Sequence, residues 1–352
     1  MTYIPKVQKA PNLHFGIALW GVFYYNKSME NKYSKKYILE TAIGLQDVDG
    51  LKNSSYFLNE SERYLKGEIS LDELDNIINS YYKNKPHCED RSDEADKVTT
   101  RMSILISDDS FTFSVGQLLT IHRTLFEGLL DYPGELRPYN FTKSEWVLDG
   151  ASVTYGDYRE LEATLQYDFE QEKKYRYQGL SIDETIEHLA IFIANLWQIH
   201  AFEEGNTRTT AVFVIKYLRS LGFDVTNDTF AKNAWYFRNA LVRANYTNIA
   251  KGIYEDRSFL ILFLRNLLLG ENNELKNRNL RIQPATPNFK LSRDSMVLAM
   301  LEFNPKLTTK ELAEHANVSE RTIKNILKAL VTNKAIRRVN GKRYGYWKVL
   351  KK

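Results

Sequence analysis

The chain has 352 residues, 43% hydrophobic and 26% charged, which fits two or three globular domains and excludes a disordered or fibrous protein. One cysteine, Cys88, excludes an internal disulfide framework, and no apolar run reaches the roughly 18 residues of a membrane span. The net charge of +4 is uneven: residues 290–352 hold 15 Lys and Arg against 5 Asp and Glu, +10 there and −6 elsewhere, so that tail is expected to be a separate basic module that meets nucleic acid.

Residues 1–11 lack the apolar core of a signal peptide, and the aromatic segment 15–25 is expected to be a buried strand or helix; the protein is expected to be cytoplasmic and away from membranes. Three short helices follow within residues 32–82. Ser34 caps the first, which runs through Ile38, Ala42 and Leu45 to a stop at Gly50. Ser54 and Ser55 start the second, which stops near Gly67. Ser70, with Asp72 and Glu73, starts the third, whose Leu71, Leu74, Ile77 and Ile78 share a face. Residues 83–97, with Pro86 and five acidic residues, read as a mobile connection. Four regions result: a helical regulatory region 1–97, a mostly helical core 98–270, a linker 271–290 with Pro284 and Pro287, and a last domain 291–352.

Ser181 to Glu184 form a capping box. The helix it opens places Ile186, Leu189, Ile193 and Trp197 at steps of three and four, with His200 next in that stripe. A loop from Ala201 leads to a second helix expected over 211–221 and ended by Gly222 at its C′ position. The loop feeds a helix N-terminus, whose free N–H groups attract phosphate. Gly205 lets the backbone approach a ligand. Arg208 grips phosphate in two-pronged fashion. Glu204 suits a Mg²⁺ that bridges phosphate oxygens, and His200 is the natural general base for a hydroxyl. One short loop thus holds every part of a phosphate-transfer site; the plainer alternative is an interhelical turn beside a core histidine.

The run His200-Ala201-Phe202-Glu203-Glu204-Gly205-Asn206-Thr207-Arg208 resembles the Fic motif, His-x-Phe-x-Asp/Glu-Gly-Asn-x-Arg, at every fixed position. Residues 133–137, Pro-Gly-Glu-Leu-Arg, resemble the segment before that family's flap, and residues 146–158 resemble the flap, a β-hairpin that clamps a target by strand addition. Phe237, Arg238 and Asn245 resemble the helix that lines the nucleoside pocket, where the family usually has Tyr for Phe237. The resemblance implies a protein adenylyltransferase. His200 would deprotonate a Ser, Thr or Tyr hydroxyl of a protein, and self-modification is included. AMP would pass from ATP, with Mg²⁺ on Glu204 and the nucleotide held by Phe202, Gly205, Asn206, Thr207 and Arg208. Adenylylating members carry a second Arg three residues on; here it is Ala211. Arg238 and Arg243 are the expected substitutes, and another nucleotide or a choline-bearing donor stays open.

Residues 50–51 and 64–70 resemble the small antitoxin-type partners of Fic toxins, fused into one chain. Their inhibitory Ser/Thr-x-x-x-Glu-Gly maps onto Leu45 to Gly50, with Asp49 for Glu and Leu45 for Ser. Asp49 is therefore the expected inhibitory residue, with Arg208 as its partner; the alternative is a packing helix. The last domain reads as helix, turn, helix and hairpin: Leu307 to Ala313, then a Ser319-capped helix with Ile323, Ile326, Leu327 and Leu330 inside, then alternation over 336–349 about Asn340-Gly341. That is a winged helix-turn-helix. Arg321, Thr322, Lys324, Asn325 and Lys328 face out and Lys342 and Arg343 arm the wing, as for double-stranded DNA; a dimerisation or docking domain is the alternative. The fold class expected is mainly α, a Fic-fold helical core with a β-hairpin flap and a C-terminal winged helix-turn-helix. Against the transferase stands one rival: a DNA-binding regulator whose core senses a nucleotide or a partner.

Overall fold

Ser34 Oγ accepts the Tyr37 N–H at 3.1 Å and starts α1 (Lys35–Gly44). A 3₁₀ turn, Leu45–Asp49, continues it until Gly50, at φ 67°, ends the run in the left-handed conformation only glycine adopts cheaply. The computed structural model describes residues 33–83, 85, 90–282, 293–303, 305–316, 318–339 and 345–350. Segment 15–25, Cys88, Pro86, Pro284 and Pro287 lie outside them.

The second and third expected helices form as read. Ser54 caps α2 (Ser55–Lys66), and Gly67 closes it. Ser70 and Glu73 make the reciprocal box of α3 (Leu71–Tyr82). These helices bury their own small core, with Leu39, Phe57, Leu74 and Ile78 at its centre. The expected mobile stretch after them is corrected from Ser92 onward, where α4 (Ser92–Ser107) begins and Asp93, Glu94 and Asp96 are buried. Asp96 accepts from Ser54 N at 2.9 Å, Asn53 Nδ2 at 3.1 Å and Tyr82 OH at 2.7 Å. A run of carboxylates looks solvated in sequence; Asp96 is buried here because donors at the start of α2 and on α3 satisfy it, and Glu94 because Arg91 and Arg208 do. α4 runs through position 97/98.

The main core is built by α5 (Val115–Phe126), α6 (Leu161–Lys174), α7 (Ile182–Ile199), α8 (Asn206–Ser220), α9 (Thr229–Ala244) and α10 (Ser258–Leu269). Ile186, Leu189, Ile193 and Trp197 are all buried, as their spacing requires. α8 is buried from Asn206 to Leu218, so it runs through the middle of the core. It starts at Asn206 rather than near 211, because Gly205 at φ 71° serves as N-cap. It ends where Phe223 N bonds Leu218 O and Gly222 N bonds Arg219 O, the paired bonds of a Schellman stop. Gly44 lies against α9: a Cβ there would meet the Ala231 oxygen at 2.3 Å. That backbone-to-backbone approach brings the Leu45–Asp49 turn onto α8 and α9.

The short α11 (Asn277–Leu280) and Ile282 pack into the main core, so the expected linker is docked that far. Beyond it, α12 (Arg293–Phe303), α13 (Thr309–Ala316) and α14 (Glu320–Thr332) bury Val297, Leu301, Leu312, Ile323 and Leu330. Ser319 caps α14 as expected. β1 (Ile336–Val339) and β2 (Tyr346–Val349) are antiparallel with Val339 opposite Tyr346. That register leaves residues 340–345 between the strands; the turn expected at Asn340-Gly341, with Lys342 and Arg343, lies outside the described residues. No helix among the described residues is long and apolar enough to cross a membrane.

Candidate active site

His200 ends α7 in the left-handed region, φ 51°. That bend turns its ring inward, where it is 4% exposed. Tyr155 stacks on it at 4.1 Å, and Trp197 and Phe141 meet it edge-on at 5.2 and 5.6 Å. Its Nδ1 is buried without a hydrogen-bond partner among the described residues. Burial, and then the positive charge of Lys143, with smaller contributions from Arg137 and Arg238, holds its pKa well below the ordinary range. The ring is therefore held neutral, and burial and Lys143 disfavour its protonated form.

The loop after it is stapled shut. Asn206 Oδ1 accepts the Phe202 N–H at 2.9 Å and its Nδ2 donates to Phe202 O at 2.7 Å. Thr207 Oγ1 accepts Trp197 Nε1–H at 2.9 Å. Phe202 stacks on His122 at 3.8 Å. These three residues, expected to hold the nucleotide, have side chains that hold the loop, because a tight interhelical turn has buried polar groups of its own to satisfy. Gly205 meets Phe126: a Cβ would fall 2.3 Å from that ring, so packing as well as ligand approach forbids a side chain. The N–H groups of the first turn of α8 remain as the anion-attracting feature.

Sequence reasoning missed His122. Its Nδ1 accepts the Gly134 N–H at 2.7 Å, so its Nε2 carries the proton and donates to Glu204 O at 3.1 Å. Burial pushes its pKa down to about 4. One neutral imidazole thus joins the Pro133-Gly134 turn to the Glu204 backbone. A histidine inside an apolar helix carried no signal of that bridge.

Arg208 is fully buried and all three faces of its guanidinium are occupied. Nη2 donates to Glu94 Oε1 at 2.8 Å and Nη1 to Gln46 Oε1 at 3.2 Å. Nε stands 2.8 Å from Asp49 Oδ2, a Coulombic contact that is not aligned as a hydrogen bond. The reach of Asp49 toward Arg208 matches expectation; Gln46 and Glu94 were not anticipated.

A cavity of about 770 Å³ adjoins this cluster, lined by Asp49, Arg91, Lys143, Glu204, Tyr236 and Arg238 among others. Glu204 is half-buried and presents one carboxylate. Among the described residues no group of three or more His, Cys, Asp or Glu gathers as a metal cage. A single carboxylate nevertheless fits Mg²⁺, which fills its other positions with water and phosphate oxygens.

Of the α9 residues expected at the nucleotide, Arg238 lines the cavity and Phe237, Arg243 and Asn245 do not. Phe237 is fully buried against Phe230 and Phe263, and its neighbour Tyr236 lines the cavity. Asn245 Nδ2 is spent on Ala194 O and Leu241 O, both at 2.9 Å. Arg243 does not line the cavity; burial lowers its pKa and Asp256 partly offsets that. Arg238 does line it, but both Nη groups donate to Glu145, at 2.7 and 3.0 Å, so it anchors the flap rather than standing free for phosphate.

The flap region doubles back without strands. Glu145 N bonds Ala151 O at 2.9 Å and Gly150 N bonds Glu145 O at 3.0 Å around the 3₁₀ turn Trp146–Leu148, so the expected hairpin is present as a reversal and lacks a β ladder. Arg137 secures its base: Nε donates to His200 O at 2.7 Å and Nη2 donates to Gly156 O. In the last domain Arg321, Lys324, Asn325 and Lys328 on α14 are exposed and Thr322 is half-buried. Lys324 lies 3.7 Å from Glu320.

Residues 112–218 match the Fic/DOC family and residues 293–343 match the DeoR-like helix-turn-helix domain. No curated protein matches the chain. Among solved structures, the chain is similar to the VirB-translocated effector BepC from Bartonella tribocorum with bound AMPPNP, at 18% identity over 51% of this chain and 88% of that one, TM-score 0.40. A Fic family protein from Desulfovibrio desulfuricans aligns at 11% identity over 90% of this chain and 88% of that one, TM-score 0.41. The N-terminal Fic domain of an effector from Bartonella sp. AR 15-3 aligns at 18% over 56% and 79%, TM-score 0.31.

Proposed function

We propose that this chain, which carries a Fic/DOC domain and a DeoR-like helix-turn-helix domain, is a nucleotidyl transferase that moves AMP from ATP to a Ser, Thr or Tyr hydroxyl of a protein. The observation that carries the reading is geometric: His200, turned inward at the end of α7, stands at the entry of the loop that starts α8 and presents Glu204 to the cavity. His200 takes the hydroxyl proton. The freed oxygen bonds to the α-phosphorus, the bond to the β-phosphate breaks, and pyrophosphate leaves. Mg²⁺ beside Glu204 would neutralise phosphate charge. The N-terminus of α8 holds the phosphates, with Arg208 once Asp49 releases it. The conformation described is a restrained one, since Arg208 is fully paired and Tyr155 covers His200.

The chain incubated with α-labelled and γ-labelled ATP tests this. Protein label from α-ATP alone, lost in His200→Ala, supports nucleotidyl transfer. Label from γ-ATP would make the reaction phosphoryl transfer, and no label from ATP, other nucleoside triphosphates or a choline-bearing donor would sink the enzyme reading in favour of a regulator.

For the last domain, the exposed Arg321, Lys324, Asn325 and Lys328 on one face of α14 support duplex DNA binding, with that helix in the major groove.

A further inference from the structure

A nucleoside triphosphate brings up to four negative charges, and the cations lining the cavity must meet them. Among the described residues four line it: Arg91, Lys143, Lys232 and Arg238. Arg238 is neutralised by Glu145 and Lys232 by Asp228. Lys143 stands close enough to His200 to lower its pKa. Ala211, fully buried, offers none. Arg91 remains.

Arg91 stands directly before α4 at φ 53°, a left-handed conformation that costs a residue with a Cβ about 1–2 kcal/mol. That strained turn sets its side chain on the cavity wall with Asp49 and Glu204. Glu94 then holds it: Nε donates to Oε2 at 2.8 Å and Nη2 to Oε1 at 2.9 Å. The same Oε1 accepts from Arg208 Nη2 at 2.8 Å. Two guanidiniums therefore converge on one anionic oxygen, an arrangement that like charges adopt only around an anion. The Arg91 side chain is 44% exposed and that of Arg208 is 0%, so a ligand in the cavity meets Arg91 first, and neither Arg91 Nε nor Nη2 needs to leave Glu94 for Nη1 to donate.

We infer that Arg91 is the second polyphosphate-gripping arginine of this chain, taking the terminal phosphate of a nucleoside triphosphate while Glu94 keeps it in register with Arg208. The inference rests on the transferase reading and names a residue on α4's doorstep, far in sequence from the loop that carries the chemistry. Arg91 here binds substrate and takes no proton.

Calorimetry on the full chain carrying His200→Ala, to stop turnover, and Asp49→Ala, to free Arg208, tests it with ATP, ADP and AMP in Mg²⁺. Adding Arg91→Ala should weaken ATP about tenfold or more, as loss of a charged hydrogen bond does, and leave AMP within about twofold. Arg91→Lys should restore part of the ATP affinity. Equal weakening of all three nucleotides would make Arg91 a prop for α4 and overturn the inference, as would unchanged ATP binding. A parent chain that binds no nucleotide at all would instead remove the transferase reading, and this inference with it.

Discussion

Asp49 Oδ2 lies 2.8 Å from Arg208 Nε, and with Gln46 and Glu94 it leaves that guanidinium no free side. The only arginine of the phosphate loop is thus held by the N-terminal helices. Replacing Asp49 by Ala removes one charged contact, worth about 1–3 kcal/mol. The rate of self-labelling from ATP should rise about fivefold or more. An unchanged rate would leave Asp49 a packing residue of the turn before Gly50.

Arg238 and Glu145 form a buried two-bond pair, side chains 10% and 1% exposed. Arg238→Ala strands the Glu145 carboxylate and should cost about 3–5 kcal/mol of stability, read from denaturant midpoints. Replacing both by apolar residues should recover most of that loss. If Arg238→Ala instead keeps full stability and raises only the KM for ATP, the arginine serves nucleotide after all.

His122 gives a pH signature. Burial lowers its folded pKa to about 4, against about 6.5 in the unfolded chain. Between those values the unfolded chain binds the extra proton, so the His122 contribution is complete above about pH 6.5 and is lost as pH falls toward 4. The full effect is at most roughly 3 kcal/mol. Unfolding of wild type and His122→Asn at pH 7.5 and 5 should show a steeper acid loss in wild type; parallel losses would mean that His122 does not titrate between the two states.

Gly44→Ala places a methyl against the Ala231 backbone, 2.3 Å from its oxygen, where neither chain can yield as a side chain would. Stability should fall by about 1–3 kcal/mol. Because α1 leads into the Asp49 turn, self-labelling should also rise. A drop in stability with no rise in labelling would separate helix packing from restraint.

DNA binding by the full chain should fall steeply with salt, as counterion release requires. Arg321→Ala with Lys324→Ala, both exposed on α14, should lower the slope of log affinity against log salt by about 2. Gel shifts with no complex at low salt would assign the domain to protein docking.

What the sequence determined by itself was local. Ser34, Ser54, Ser70, Ser181 and Ser319 each cap a helix, since a cap needs only the next three residues. The loop itself stood out for the same reason: His200, Glu204, Gly205 and Arg208 are near neighbours in the chain. Apart from Asp49 with Arg208, which charge meets which was decided by the tertiary structure. Acidic residues in the stretch 83–97 look solvated until Arg208 and the Ser54 turn arrive beside Glu94 and Asp96, and Arg238 looks free until Glu145 closes on it. Tyr236 and Phe237 are both buried in the core, and only Tyr236 also lines the cavity. A step of one residue turns a helix by about 100°, and only packing against Phe230 and Phe263 selects the face.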